Sequence, residues 1–249
     1  MLKHIISGID DADRPRKVKN AVLGLGYIAV EVEGCGVGLA ANLSGQTRTS
    51  CTAFDRAGTL KGSPVGALLD LAGEDNDLSR ALALASLNAI ISPRCTGEDG
   101  ELSEHLGAGE GGRAAMVGHI PPVARMLRER GMKVDVFDRR DLADVPLGRP
   151  DEMPEAFSCA DILVITASAI INGSLSGLLD MAARPREVII IGPSTPMLPE
   201  MFSSTPVTFL AGCRIIDAQK ALDIVIEGGG TEILFRQGAM KKINRKVRR

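Results

Sequence analysis

The residues best able to do chemistry in this chain fall at the ends of short apolar runs. Gly118-His119 follows Ala114–Val117, and Asp138 follows Lys133–Phe137. Thr166-Ala167-Ser168 closes the run Asp161–Thr166, and Gly192-Pro193-Ser194-Thr195 follows Glu187–Ile191. Small residues let backbone approach a ligand closely, and hydroxyls offer donors that rotate to suit it. His119 can ligate a metal or move a proton near neutral pH. Asn172 adds an amide just beyond Ser168, and Pro121 opens the segment after His119. Ordinary turns use the same residue types. Four such loops on one sheet edge nonetheless favour a site, because open α/β sheets bind ligands at the carboxyl ends of their strands. The candidate ligand-binding set is Gly118, His119, Pro121, Asp138, Thr166, Ser168, Asn172, Gly192, Ser194 and Thr195, with His119 as the candidate metal ligand.

Positioning these residues requires strands alternating with helices, and the sequence has that pattern from Ala114 onward. Within Ala114–Arg130 an apolar run stops at Gly118 and passes through Pro121-Pro122. It then places Val123, Met126 and Leu127 at helical spacing, opposite Arg125, Arg128, Glu129 and Arg130. Proline suits the first turn of a helix, where the missing N–H costs nothing. Gly131 ends that helix and Lys133–Phe137 forms the next strand. Asp161–Thr166, Glu187–Ile191 and Val207–Ala211 read as further buried strands, with helices over Ser174–Ala183, Met197–Phe202 and from Asp217 to Ile226. Residues 107–249 are thus expected to form a Rossmann-like, mainly parallel sheet with helices on both faces. Upstream, Tyr27–Glu33, Val37–Leu43 and Thr47–Phe54 read as an antiparallel meander. Pro64–Ala72 and Asp77–Ile91 read as helices, the second capped by Asp77. Residues 1–106 are expected to form an α+β unit, with 1–20 helical or irregular and the Gly-rich stretch 93–113 as linker or flap. The fold class is α/β.

Several patterns point away from better-known functions. Gly34-Cys35-Gly36-Val37-Gly38, with Asp55 about twenty residues on, imitates a dinucleotide fingerprint but lacks the helix that must follow, so it reads as a hairpin turn. Residues 107–114, GAGEGGRA, carry Arg where a phosphate loop needs Lys. The turn after Gly118 lacks further glycines and contains two prolines, so NAD is not expected. Asp138, twenty residues after Gly118, still stands where a ribose-binding acid would, which admits a nucleoside- or pterin-like ring. Asn88, inside an apolar helix, is expected to bond to nearby backbone. A net charge of −2 gives no pull toward nucleic acid or an anionic membrane, and no run reaches the roughly twenty apolar residues of a membrane span. Six of the residues 241–249 are Lys or Arg, and these read as a solvated tail. Five dispersed cysteines without a CxxC pair fit a reducing cytosol and speak against a zinc ribbon or a disulfide framework. A cytoplasmic protein is expected, with a homodimer compatible with the sequence. Any functional metal would sit in an open site through His119 and oxygens such as Asp138, or arrive already chelated.

Taken together, Met116–Pro121 (MVGHIP), Ile165–Ser174 (ITASAIINGS), Ile191–Pro196 (IGPSTP) and Glu227–Thr231 (EGGGT) resemble the heavy-metal chelation family, an uncharacterised prokaryotic family. The resemblance covers nearly the whole chain. It implies an N-terminal domain similar to the N-terminal domain of enolase, a Rossmann-like domain after it, and a site in the cleft between them. It implies no enolase activity, because the catalytic barrel is absent. The leading expectation is a protein that binds a small polar ligand, a heavy-metal ion or metal complex, in that cleft. The alternative is an enzyme acting on a nucleoside- or pterin-like molecule; a third reading is a structural partner protein with a vestigial cleft.

Overall fold

The computed structural model describes residues 1–43, 54–106, 111–182 and 185–247, and these build two sheets. The first begins after helix α1 (Leu2–Ile6) and is formed by β1 (Val18–Leu23), β2 (Tyr27–Val32) and β3 (Gly36–Ala41), antiparallel and paired in chain order. Helices α2 (Val65–Leu69) and α3 (Asp77–Ile91) follow, then β4 (Glu98–Asp99), α4 (Leu102–His105) and β5 (Arg113–Val117). Next come α5 (Pro121–Glu129), β6 (Lys133–Phe137), α6 (Met153–Cys159), β7 (Ile162–Thr166), α7 (Ser168–Ile171), α8 (Leu175–Asp180) and β8 (Glu187–Ile191). The chain continues through β9 (Phe209–Ile215), α9 (Ala218–Ile226), α10 (Thr231–Arg236) and β10 (Met240–Lys246).

The second sheet runs β4-β10-β9-β8-β7-β5-β6. Strands β6, β5, β7, β8 and β9 are parallel, whereas β10 and β4 are antiparallel additions at one side. Side chains alternate across it. Met116, Val164 and Ile189 pack with Val123 and Leu127 of α5, while Ala115, Leu163, Ile165 and Ile190 join the core that contains α3, α7 and α8. Both faces of the central strands are covered, which is why β7 is apolar up to Thr166 and β5 and β8 carry a charge only at their first residue. In chain order the five parallel strands lie 2-1-3-4-5, so strand order reverses between β5 and β7.

Helix α3 joins the two sheets. It is buried nearly all round, and each fully buried leucine (Leu82, Leu84, Leu87) contributes about 1.5–3 kcal/mol. Its cap is Asn76 rather than the expected Asp77: the Asn76 side chain accepts from the N–H groups of Leu78 and Ser79 at 2.8 and 3.2 Å. One side of α3 lies against β3, where an added Cβ at Gly38 would overlap the backbone of Ala85 and Ala89. Gly38 is therefore a point of backbone contact, and Gly34-Cys35 is the β2–β3 turn. The opposite face of the small sheet packs Ala29, Val37 and Leu39 on Leu222 and Val225 of α9.

Other expectations need correction. Strand β1 begins in the stretch 1–20 read as helical or irregular, because Val18 is deeply buried while Lys19 and Leu23 are exposed and the residues between them half-buried. The strand expected over Thr47–Phe54 falls mostly outside the described residues. The helix expected over Ser174–Ala183 is shorter, preceded by the separate turn of α7, and Met197–Phe202 contains only a 3-10 turn over Pro199–Phe202. The stretch 93–113 is not a simple linker, since Glu98–Asp99 pairs with β10. Most clearly, residues 241–247 are not a solvated tail. Strand β10 sits between β9 and β4, with Ile243 and Asn244 buried. Lys241 and Lys242 pair with Asp99 and Glu101, so the acidic stretch answers the basic one. Strand β9 also outruns its expected end at Ala211. Its parallel pairing with β8 stops there, but β10 holds it through Ile215. No helix among the described residues is long and apolar enough to cross a membrane.

Candidate functional site

The strand-order switch places the end of β5 beside the end of β7. Gly118 follows β5 with φ +83°, and an added Cβ would lie 2.6 Å from Thr166 Cγ2. Its N–H continues the β5–β6 pairing by donating to the Phe137 carbonyl at 2.7 Å, and the next N–H, of His119, donates to Asp138 Oδ2 at 2.7 Å. Asp138 is otherwise occupied by Arg140: Oδ1 accepts from the Arg140 N–H and Nε at 2.9 and 3.0 Å, and Oδ2 accepts from Nη2 at 2.7 Å. With His119 this makes four hydrogen bonds, the capacity of a carboxylate. Burial alone would push the carboxyl up. The Arg140 side chain, the His119 and Arg140 N–H groups and the Arg140 charge outweigh it and hold the pKa at about 2. Asp138 therefore positions His119 and leaves no free acceptor for a ribose.

The start of α5 is equally committed. Pro121 and Pro122 carry no N–H, and the N–H groups of Val123 and Ala124 both turn back to the Ile120 carbonyl at 3.0 Å. A pyrophosphate would find no amide among those four residues.

On β7, Thr166 Oγ1 and Ser168 Oγ lie 3.1 Å apart in a hydrogen bond. Asn172 closes a local turn after α7, its Oδ1 accepting from Ser174 N and Oγ at 3.1 and 2.7 Å. Beyond β8, an added Cβ at Gly192 would meet no atom within 4 Å, so that face is open. Ser194 and Thr195 turn the other way. Both are 3% exposed; Ser194 Oγ accepts from the Ala41 N–H of β3 at 2.8 Å, and Thr195 Oγ1 donates to the Ala211 carbonyl at 3.3 Å. The structure thus gathers Gly118, His119, Thr166 and Ser168 at adjacent strand ends, with Asp138 and Pro121 shaping their turn, and puts Ser194 and Thr195 in the seam with the small sheet.

Sequence reasoning missed what lies in that seam. Asn88 does not bond locally: Nδ2 donates to the carbonyls of Leu39 and Ser194 at 2.9 and 3.1 Å, far away in sequence. Its Oδ1 has no hydrogen-bond partner among the described residues. Asn88 lines a small cavity with Cys95, Thr195, Met197, Cys213 and Arg214, and burial pushes the thiols of Cys95 and Cys213 up to about 11 and about 12. An amide inside an apolar helix was the one available signal; two cysteines 118 residues apart gave none. A larger concavity, about 490 Å³, runs along edge strand β6 and is lined by Arg113, Lys133, Asp135 and Glu155. Three of its charges pair with one another, Arg113 and Lys133 reaching Asp135 at 3.1 and 3.7 Å.

Fold and strand ends together define a class: an α/β protein of 2-1-3-4-5 strand order, joined to an antiparallel α+β unit, with small and hydroxylated residues at the order switch. Two family models, both described as "Putative heavy-metal chelation", match residues 101–244 and 7–91. The first alone spans more than half of the chain, and the chain belongs to that family. An uncharacterized protein of Methanocaldococcus jannaschii is 30% identical over 190 residues, covering 72% of this chain and 70% of that protein. A crystal structure of a protein of unknown function from Pyrococcus horikoshii is similar at a TM-score of 0.85, with 26% identity over 99% of both chains. Another, from Desulfitobacterium hafniense, shares the fold at a TM-score of 0.79 and 22% identity, covering 98% of this chain and 96% of that one.

Proposed function

We propose that this protein binds a small polar ligand at the carboxyl edge of the parallel sheet, in the crevice between β5 and β7, and that the ligand is a heavy metal presented as a complex. One observation carries the reading: the strand-order switch sets Gly118 directly against Thr166, with Ser168 bonded to that threonine and His119 held at the same edge by Asp138. The family description supplies the metal. The side chains favour a complex over a bare ion, because no three His, Cys, Asp or Glu residues converge among the described residues. Stable sites for a bare divalent ion such as zinc use three or four protein ligands. A complex brings its own donors, needing only the His119 imidazole and the hydroxyls of Thr166 and Ser168. The nucleoside reading loses its footing here, since Asp138 has no acceptor to spare and the start of α5 has no amide.

Isothermal titration with cobalt(II) citrate, against cobalt(II) chloride as the bare ion, tests this. The complex should bind more tightly than the bare ion. His119→Ala and Ser168→Ala should each weaken it at least tenfold while leaving the melting temperature within about two degrees. Equal binding of the complex by wild type and both variants would place the ligand elsewhere.

A further inference from the structure

We infer a second, separate site: a soft monovalent d10 cation, of the copper(I) type, bound between the sulfurs of Cys95 and Cys213 in the cavity beneath Asn88. Two remote segments meet there. Cys95 follows the turn that ends α3, and Cys213 lies on the part of β9 that runs past β8 and is held only by β10. Cys95 is buried and Cys213 half-buried, and both line the cavity. A third sulfur adjoins them: Met197 Sδ lies over Gly212, where an added Cβ would come within 2.5 Å of it.

Independent of the sulfurs, Asn88 points to a bound species. It is 9% exposed, and its orientation is fixed because Nδ2 serves two carbonyls, which a flipped amide would meet with oxygen. That leaves Oδ1, in a residue lining the cavity, with no donor among the described residues. A buried carbonyl oxygen without a partner is costly and calls for a donor or a cation.

Size and donor type select the occupant. The cavity has about 20 Å³ of room, enough for one water-sized particle and too little for an organic molecule or metal complex. Thiolate and thioether donors are soft and select copper(I)-like ions, whereas zinc(II) completes a tetrahedron of nitrogen, sulfur or oxygen ligands. Uptake is balanced without an oxidant or reductant: the cation forms two metal–sulfur bonds, two S–H bonds break, and two protons leave to solvent. The resulting single negative charge faces Arg214 on the cavity wall, with Arg245 and Arg94 near enough to act on Cys95.

Silver(I), a redox-inert stand-in, provides the test in chloride-free, oxygen-free buffer on the full chain. In a Cys35→Ser, Cys51→Ser, Cys159→Ser background the protein should retain one silver ion per chain through desalting and release two protons per ion. Adding Cys95→Ala or Cys213→Ala should weaken binding at least ~100-fold, since even residues that only support a ligand are worth 10–100-fold. In wild type, silver should protect Cys95 and Cys213, but not exposed Cys159, from alkylation read by mass spectrometry, which keeps the inference testable if the multiple variants fold poorly. Silver held equally well without Cys95 and Cys213, tighter binding of zinc(II) than of silver(I), or protection confined to Cys159 would each overturn it. His119→Ala should leave silver uptake unchanged, so this site and the crevice stand or fall separately.

Discussion

The Asn88 side chain donates to the Ser194 carbonyl at 3.1 Å, tying the middle of α3 to the loop after β8 across 106 residues of sequence. The same amide holds the Leu39 carbonyl of β3, so one side chain pins three elements at the seam. Asn88→Leu should therefore cost about 2–4 kcal/mol, because it removes the donor of two carbonyl acceptors at the seam. Urea denaturation followed by circular dichroism measures this. A change below about 0.5 kcal/mol would show that the seam does not depend on this amide.

Asp138 makes stability pH-dependent in a defined direction. Its folded pKa, about 2, lies below the ordinary carboxylate value of 3.8. The contribution is thus fully present above about pH 4 and is lost as pH falls through 2. Its size is on the order of 2 kcal/mol. Asp138→Asn should remove that part of the acid dependence, and paired urea titrations at pH 5 and pH 2.5 compare the two proteins.

Gly118→Ala should destabilise by about 1–3 kcal/mol, since it combines a left-handed backbone with a Cβ placed 2.6 Å from Thr166 Cγ2. Adding Thr166→Ser removes that nearer atom but leaves the residue's Cβ at 2.8 Å and the backbone strain, so it should restore only part of the loss. Full rescue in a thermal melt would mean that the contact, not φ, decides the glycine.

Deleting residues 240–249 should abolish folding rather than trim a tail, because β10 lies inside the sheet and buries Ile243. Lys241→Ala and Lys242→Ala should each cost under about 1 kcal/mol, as expected for exposed ion pairs. Limited proteolysis separates the two cases: a removable tail would be clipped from folded protein within minutes, and β10 would resist.

The sequence alone determined the features written in local patterns. The strand–turn–helix from Ala114 to Arg130 shows in its periodicity and its proline, and the apolar runs of β7 and β8 announce strands covered on both faces. The clustering of small and hydroxylated residues at strand ends also marked one edge of the sheet as the place to look. Only the tertiary structure decided how those ends are used. Asp138 could be a free acceptor or a clamp until Arg140 and the His119 amide were seen to saturate it. The basic segment from Lys241 could be a tail until Asp99 and Glu101 stood opposite Lys241 and Lys242. Asn88, Cys95 and Cys213 meet only because α3, its following turn and the overhang of β9 converge. The physical reason is the range of each effect. Periodicity, capping and turn chemistry act within a few residues and leave a trace in sequence, whereas charge pairing, cavity lining and hydrogen bonds across a seam depend on which distant segments packing brings together.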